Sequence, residues 1–454
     1  MLFARALIVV ELLVAAPPSQ GSCAAADYIS NGANAPNTRR SQKKGWHGEP
    51  ALISIRLKMP PKPKYIDLYA GCGGLSWGLM RSGWKGVFAV EKDAFAFATL
   101  QHNLIKRKKH FRWPGWLPVG AHDIDEVLSN YKAELGKLAS TIDLIAGGPP
   151  CQGFSINGKR DEKDKRNALV DSYVSFVGLL KPKVLFFENV RGFAMEFSGS
   201  GTVYSDQVTR RLEKLGYDVH ARVVNFADYG IPQRRYRFIL VGSLRGDAEQ
   251  FFEELGQRKT EFLEEKRLRS KRTVSQAISD LERKHGDTDC PDSKSFRSGL
   301  YAPAKNQYQR LMRSNCVQTI PDSHRFPKHR PDIVKRFAEI LMLAPRNKQL
   351  SGELRTKYDL KKRSITPLDN NSVCPTITSL PDDYIHYAEP RVLTVRECAR
   401  IQSFPDDFEF RGKYTSGGDR RAKEVPRYTQ IGNAIPPLFA ELAGSVLKRM
   451  ADDA

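Results

Sequence analysis

The chain has 454 residues, and 72 Lys+Arg against 51 Asp+Glu leave a formal charge of +21. A hydrophobic share of 41% with 27% charged residues fits an ordinary globular protein and excludes a disordered or collagen-like chain, and the length suggests two or three domains at ~100–200 residues each. No run of about 18 apolar residues occurs, so no segment reads as a membrane span. The basic excess points to a polyanionic partner, nucleic acid first. An acidic membrane surface would usually need an amphipathic basic helix as well. The seven cysteines are scattered and form no CxxC pair, which speaks against a disulfide framework and against zinc.

Residues 1–26 resemble a secretory signal, but Glu11 interrupts the apolar stretch, and residues 27–58 show no periodicity. Residues 1–58 are therefore expected to be a disordered or spurious extension, with Met59 as the true start and a targeting peptide as the alternative. From residue 65 to about 245, short apolar runs alternate with amphipathic stretches, the pattern of a parallel α/β sheet. The expected strands are Tyr65–Tyr69, Gly86–Val90, Ile142–Ala146, Val184–Glu188, Asp218–Val224 and Phe238–Val241, with helices such as Asp93–Leu104 and Leu169–Leu180. The rhythm fails across 246–390, where residues 301–370 hold 15 Lys+Arg against 6 Asp+Glu. It returns over 391–454. The layout predicted is an α/β domain over 59–245, a basic insertion over 246–390 and a C-terminal segment that rejoins the first domain.

Four segments carry chemistry. The run Asp67-Leu-Tyr69-Ala-Gly71-Cys-Gly73-Gly74-Leu75 is a strand that enters glycines and then a helix, which lets backbone approach a ligand. It lacks the spacing of the dinucleotide fingerprint and any phosphate-binding lysine, so a cofactor with adenosine but no pyrophosphate fits. Glu91 ends the next strand, about 20 residues on, where a carboxylate can accept ribose hydroxyls. Gly147-Gly-Pro149-Pro-Cys151-Gln152-Gly-Phe-Ser155 follows the third strand, so Cys151 sits where open α/β sheets bind ligands and could be a covalent nucleophile. A lone cysteine is more often an inert buried thiol, but the flanking turn residues argue against burial. The charged stretch after it, with Lys159 and Arg160, reads either as a solvated loop or as a lid whose cations meet phosphates. Glu188, after a fully apolar strand, is placed to have a raised pKa. In Gln233-Arg234-Arg235-Tyr236-Arg237, alternation puts Arg235 and Arg237 on one side, opposite Arg234.

Six blocks in this order, DLYAGCGGLSWGL (67–79), GGPPCQGFS (147–155), FFENVRGF (186–193), QRRYRFILVG (233–242), RVLTVRECARIQSFPDDFEF (391–410) and QIGNAIPPLFAELAG (430–444), resemble the single-chain prokaryotic DNA (cytosine-5)-methyltransferases. The resemblance implies a Rossmann-like methyltransferase sheet with a smaller, basic target-recognition domain at 246–390, S-adenosylmethionine as cofactor and double-stranded DNA as partner. It implies Cys151, Glu188, Arg235 and Arg237 as catalytic residues, with Cys151 attacking C6 of a flipped cytosine. Asp67, Tyr69, Gly71, Gly73, Gly74, Leu75, Glu91, Asp123, Ile124, Pro149 and Asn433 would line the cofactor site. Gln152, Ser155, Lys159, Arg160 and Gln233 would meet the DNA. A cognate restriction endonuclease, a monomeric state and a cytoplasmic location are further expectations, with no metal and no membrane.

Methylation of RNA cytosine is the competing chemistry; Gly153 and the long basic insertion favour DNA. A DNA-binding protein without catalysis is at odds with intact Cys151, Glu188, Arg235 and Asn433, and a dehydrogenase with the incomplete glycine fingerprint. A chain started at Met59 is expected to fold and to keep its activity; loss of either in a direct comparison with the full chain would show that residues 1–58 matter.

Overall fold

The computed structural model describes residues 61–150, 168–195, 203–360, 365–417, 420 and 423–453. Among them is a six-stranded sheet of β1 (Lys64–Leu68), β2 (Lys85–Val90), β3 (Leu144–Gly147), β4 (Val184–Val190), β5 (Asp218–Asn225) and β6 (Tyr236–Ser243), in the order β2-β1-β3-β4-β6-β5. The expected strands are all present to within three residues at each end. Five of them share one direction, but β6 enters antiparallel between β4 and β5, placing Glu188 opposite Ile239 and Val190 opposite Arg237.

Apolar residues occupy both faces of every inner strand, so the sheet is covered on both sides. Tyr65, Leu144, Ala146 and Phe186 face a core shared with α1 (Gly74–Arg81) and the helix Pro437–Asp452. Ile66, Leu68, Ile145 and Phe187 face a second core with three helices. These helices are Ile124–Asn130, Ala168–Leu180 and Tyr204–Glu213. The C-terminal helix lies so close to α1 that a side chain at Gly78 would collide with Ala440, and Trp84 Nε1 donates to Gly444 O at 2.8 Å.

Two expectations about elements change. The helix begun at Ala94 is α-helical only to Leu100 and widens into a π-helical turn over Gln101–Arg107. There Asn103 donates to Thr99 O and Glu409 O, tying the turn to the C-terminal segment. The long helix Ala248–Glu265, assigned from sequence to the insertion, buries Phe251, Phe252 and Leu255 in the sheet's own core.

Beyond it, buried charges join the insertion to the C-terminal segment. Arg400 donates to Asp280 and to Asp406, all three wholly buried, and Arg396 holds Asp322 at 3.0 Å. Arg391 forks onto both oxygens of Glu397 at 2.8 and 2.7 Å, while Glu397 closes a capping box with Thr394 on the helix Val395–Ile401. Burial alone would raise the Glu397 carboxyl, but Arg391 outweighs it and pulls the pKa from 4.5 to about 2. A carboxylate lowered in the folded state stabilises fully above its unfolded pKa and loses that contribution as pH falls through the folded one. Stability measured by urea unfolding is therefore expected to drop between pH 4.5 and about 2, and Glu397→Gln should flatten that part of the profile.

Candidate active site

The carboxyl edge of the parallel strands gathers most of the expected residues. After β1 the chain turns through Tyr69, Gly71 and Gly73, each with positive φ (58°, 56° and 94°). Glycine tolerates that region freely; Tyr69 does not, and its hydroxyl is anchored to Leu169 O. A side chain at Gly73 would press on Leu104, whereas the space beyond Gly71 is open for at least 4 Å.

Glu91 closes this loop from β2. Its Oε2 accepts Gly71 N at 2.8 Å and its Oε1 accepts Asp93 N at 2.7 Å. A carboxylate has about four lone-pair sites, so room for two hydroxyl donors remains. Burial holds the Glu91 pKa above the usual range, although these amides work against it. Asp123 is brought alongside: His122 N donates to Glu91 O, and Lys92 pairs with Asp123 at 2.6 Å. Asp123 caps the helix at Ile124, and although burial pushes its carboxyl up, Lys92 and the helix amide of Asp125 leave it below the usual value.

Three residues expected at the cofactor are instead packed inward. Leu75 and Ile124 belong to the two cores, and Asp67 is 1% exposed with its Oδ2 accepting from Ser76 at 2.5 Å. Burial, together with the nearby Glu91 charge, pushes Asp67 up to about 7 against the bond from Ser76. These side chains shape the loop from behind. Gly74 is tight as well, since a Cβ there would lie 2.5 Å from Ile435 O. That contact sets the start of α1 two residues from Asn433, which is exposed at the end of the helix Arg427–Asn433.

Glu188 lies at the end of β4 and is nearly buried, with Arg237 Nε 2.9 Å from its Oε1. Burial raises its pKa, and Arg237 and Arg235 pull back without cancelling the rise. A side chain at Gly148 would meet Glu188 Oε2 at 3.1 Å, so the loop after β3 runs directly over this carboxyl. Asn189 ties the two together by donating to Pro149 O at 3.2 Å. Cys151, Gln152, Ser155, Lys159 and Arg160 lie outside the described residues.

The two arginines divide their work. Arg237 faces Glu188, whereas Arg235, 1% exposed, donates to Ile377 O at 3.1 Å, Gly432 O at 2.7 Å and Ala434 O at 3.3 Å. Arg235 thus grips the backbone on both sides of Asn433. Gln402, which sequence reasoning did not single out although it lies in the 391–410 block, completes the grip by donating to Ile431 O and Ala434 O. Gln233 belongs to this buried set and not to a DNA surface. It is wholly buried, its Oε1 accepts Ile377 N at 2.8 Å, and its amide nitrogen bonds Gln402. The family resemblance put Gln233 at the DNA, but both polar atoms of its side chain have internal partners. Among the described residues no cluster could hold a metal ion. Arg235→Ala is expected to lower stability by about 2–4 kcal/mol, because three buried carbonyls lose a charged donor; chemical denaturation gives the number, and a change below 1 kcal/mol would refute the grip.

Known proteins sharing this arrangement are numerous. The family model of C-5 cytosine-specific DNA methylase matches residues 63–449. The Type II methyltransferase M.DdeI of Desulfomicrobium norvegicum is 33% identical, covering 83% of this chain and 86% of its own. The Type II methyltransferase M.XorII of Xanthomonas oryzae pv. oryzae is 32% identical, covering 86% and 85%. A solved E. coli structure, described as a prophage-encoded DNA modification methyltransferase, superposes with a TM-score of 0.61 at 25% identity over 86% of this chain and all of that one. With its glycine loop, Glu91 and the Glu188–Arg237 pair at one sheet edge, the chain belongs to the C-5 cytosine-specific DNA methylase family.

Proposed function

We propose that this enzyme transfers a methyl group from S-adenosylmethionine to C5 of a cytosine flipped out of duplex DNA, within one short recognition sequence read by the insertion. The observation that carries the reading is the buried Glu188–Arg237 pair, set under the Gly147–Pro150 loop and on the same edge as Glu91. The cofactor fits the residues present. Glu91 retains acceptor sites for ribose hydroxyls, the open space at Gly71 admits a ligand against backbone, and the loop has no lysine that would claim a phosphate. In this reading Asp123 would accept from the adenine side and Asn433 would close the pocket.

S-adenosylmethionine supplies an electrophilic sulfonium methyl. The protein must make C5 nucleophilic. Cys151 as thiolate adds to C6, and the electron pair of the C5–C6 bond then becomes available at C5. Glu188, whose pKa burial raises, donates to N3 so that the ring can hold the added electron density. Arg237 orients that carboxyl and offers positive charge to the ring, while Arg235 holds the Asn433 segment in register. After methylation the C5 proton leaves to water and the thiolate is eliminated from C6, which restores the aromatic ring. Gln152 and Ser155 would shape the loop around the flipped nucleotide, and Lys159 and Arg160 would meet its phosphates. The Type II names of the relatives support a modification role beside a cognate restriction endonuclease; a monomer in the cytoplasm is the form we expect for it.

Bisulfite sequencing of DNA from a methylation-deficient host is expected to show protected cytosines within one recurring sequence, and Cys151→Ser should abolish them while cofactor binding persists. Protection by the serine variant would refute the covalent route. Removing Arg237 removes a charge that lowers Glu188, so Arg237→Ala should move the alkaline limb of the pH–rate profile upward while cutting the rate by about 10²-fold or more; an unmoved limb would take Glu188 out of the proton step.

A further inference from the structure

We propose that the amino-terminal edge of the sheet, opposite the active site, carries a second surface for duplex DNA, formed by Lys62, Lys85, Lys109 and Arg112. The proposal rests on the DNA reading above and adds a second segment of the same polymer. Three chain segments converge there. Lys64 and Lys85 are register partners at the starts of β1 and β2, and Lys85 N donates to Pro63 O at 2.9 Å. Gly86 bridges Phe111, and Arg112 N donates to Gly86 O at 2.8 Å. Neighbouring strand starts, about 4.8 Å apart, thus each deliver a cation to one edge. Lys85 Nζ reaches Lys109 O at 2.9 Å, which draws the fourth cation into the group.

Among the described residues no ion pair forms to Lys62, Lys85, Lys109 or Arg112, whereas Arg107 and Lys108 of the same basic run are paired with Glu409 and Asp407. Beyond partial burial, the charges that lower the Lys85 pKa are Arg112 and Lys62, both positive. Buried His110 stays neutral, held down to about 3 by its burial and then by Lys85 and Lys62. The carboxylate at this edge, Asp143, is engaged elsewhere, accepting Lys64 N at 2.7 Å and pairing with Lys183 at 3.4 Å, so the crowded like charges are relieved by a row of phosphates, with release of the polymer's condensed counterions. An anionic membrane fits less well, because the tryptophans that follow are turned inward. Trp113 packs on Phe97 and Phe111, and Trp116 packs on Phe88 and Tyr131, leaving no apolar wedge beside the cations. The four rises of β1 set this edge about 13 Å from the glycine loop, at the other end of the sheet.

The test uses the full chain saturated with a short unlabelled duplex that contains its target sequence. A labelled duplex without the target is then titrated in, and anisotropy is followed as a function of salt. Wild type is expected to bind this second duplex, and Lys62→Glu, Lys85→Gln and Arg112→Glu together should weaken that binding at least tenfold at low salt. The salt slope should become shallower by about 2.7, at ~0.9 per lost phosphate contact. Methyl transfer to the short duplex, measured in parallel, should be unchanged; its failure in wild type would instead sink the cytosine-methylation reading. Equal binding of the second duplex by wild type and variant overturns the proposal. So does a matching loss of methyl transfer in the variant, which would place these cations on the target duplex.

Discussion

The direction of one strand assembles the active site. Parallel strands β1 to β4 all present their carboxyl ends at one edge, where the glycine loop, Glu91 and Glu188 collect. A fifth parallel neighbour would bring its own C-terminus there and send the Gln233–Arg237 run to the far edge. Because β6 runs antiparallel against β4, its beginning meets the end of β4, and Val190 pairs with Arg237. Glu188 lies two residues before Val190 on the same face, which puts its carboxyl within reach of Arg237. The ion pair and the position of Arg235 both follow from that reversal, while burial raises the Glu188 pKa against the pull of the two arginines.

Buried guanidinium groups then make one body of segments that are far apart in sequence. A buried charge is tolerated only when its donors are filled. Arg400 fills them with Asp280 and Asp406, and Arg391 with Glu397 and Glu389. Each of these pairs fixes the C-terminal segment, and Arg400 fixes it to the insertion. Geometry this demanding leaves few alternative registers, so the helix Val395–Ile401 is a fixed reference against which Gln402 can hold the Asn433 turn.

What could be read from sequence follows from what sequence encodes locally. Six strands were legible because their apolar runs end in glycine, proline or charge, and the glycine loop because only glycine takes φ near 94° without strain. Strand direction was not, since an apolar run reads the same both ways; the parallel expectation therefore failed at β6. The helix Ala248–Glu265 was misassigned because its charged residues dominate its composition, while the few phenylalanines that decide its packing sit on one face. Glu91 and Glu188 stood out as carboxylates after apolar strands, whereas Asp123 came only with the family resemblance. Gln233 and Gln402 were misread or missed because a buried amide looks like a surface one until its partners are known.

The division between Arg235 and Arg237 shows how one alternating pattern serves two ends. Both point to the same side of β6, yet their exposures differ because Arg235 lies one step outside the ladder, where the 377 and 432–434 backbones cross. There its charge is spent on carbonyls, and burial lowers its pKa. Arg237, inside the ladder, has Glu188 as its neighbour and no comparable set of carbonyls, so its charge stays available to the carboxyl and to whatever ring is placed beside it. The charge free to act on a neighbour is that of the arginine not already neutralised by backbone. The other sets the geometry in which that charge acts, and it does so through Gly432 and Ala434, the two residues that flank Asn433.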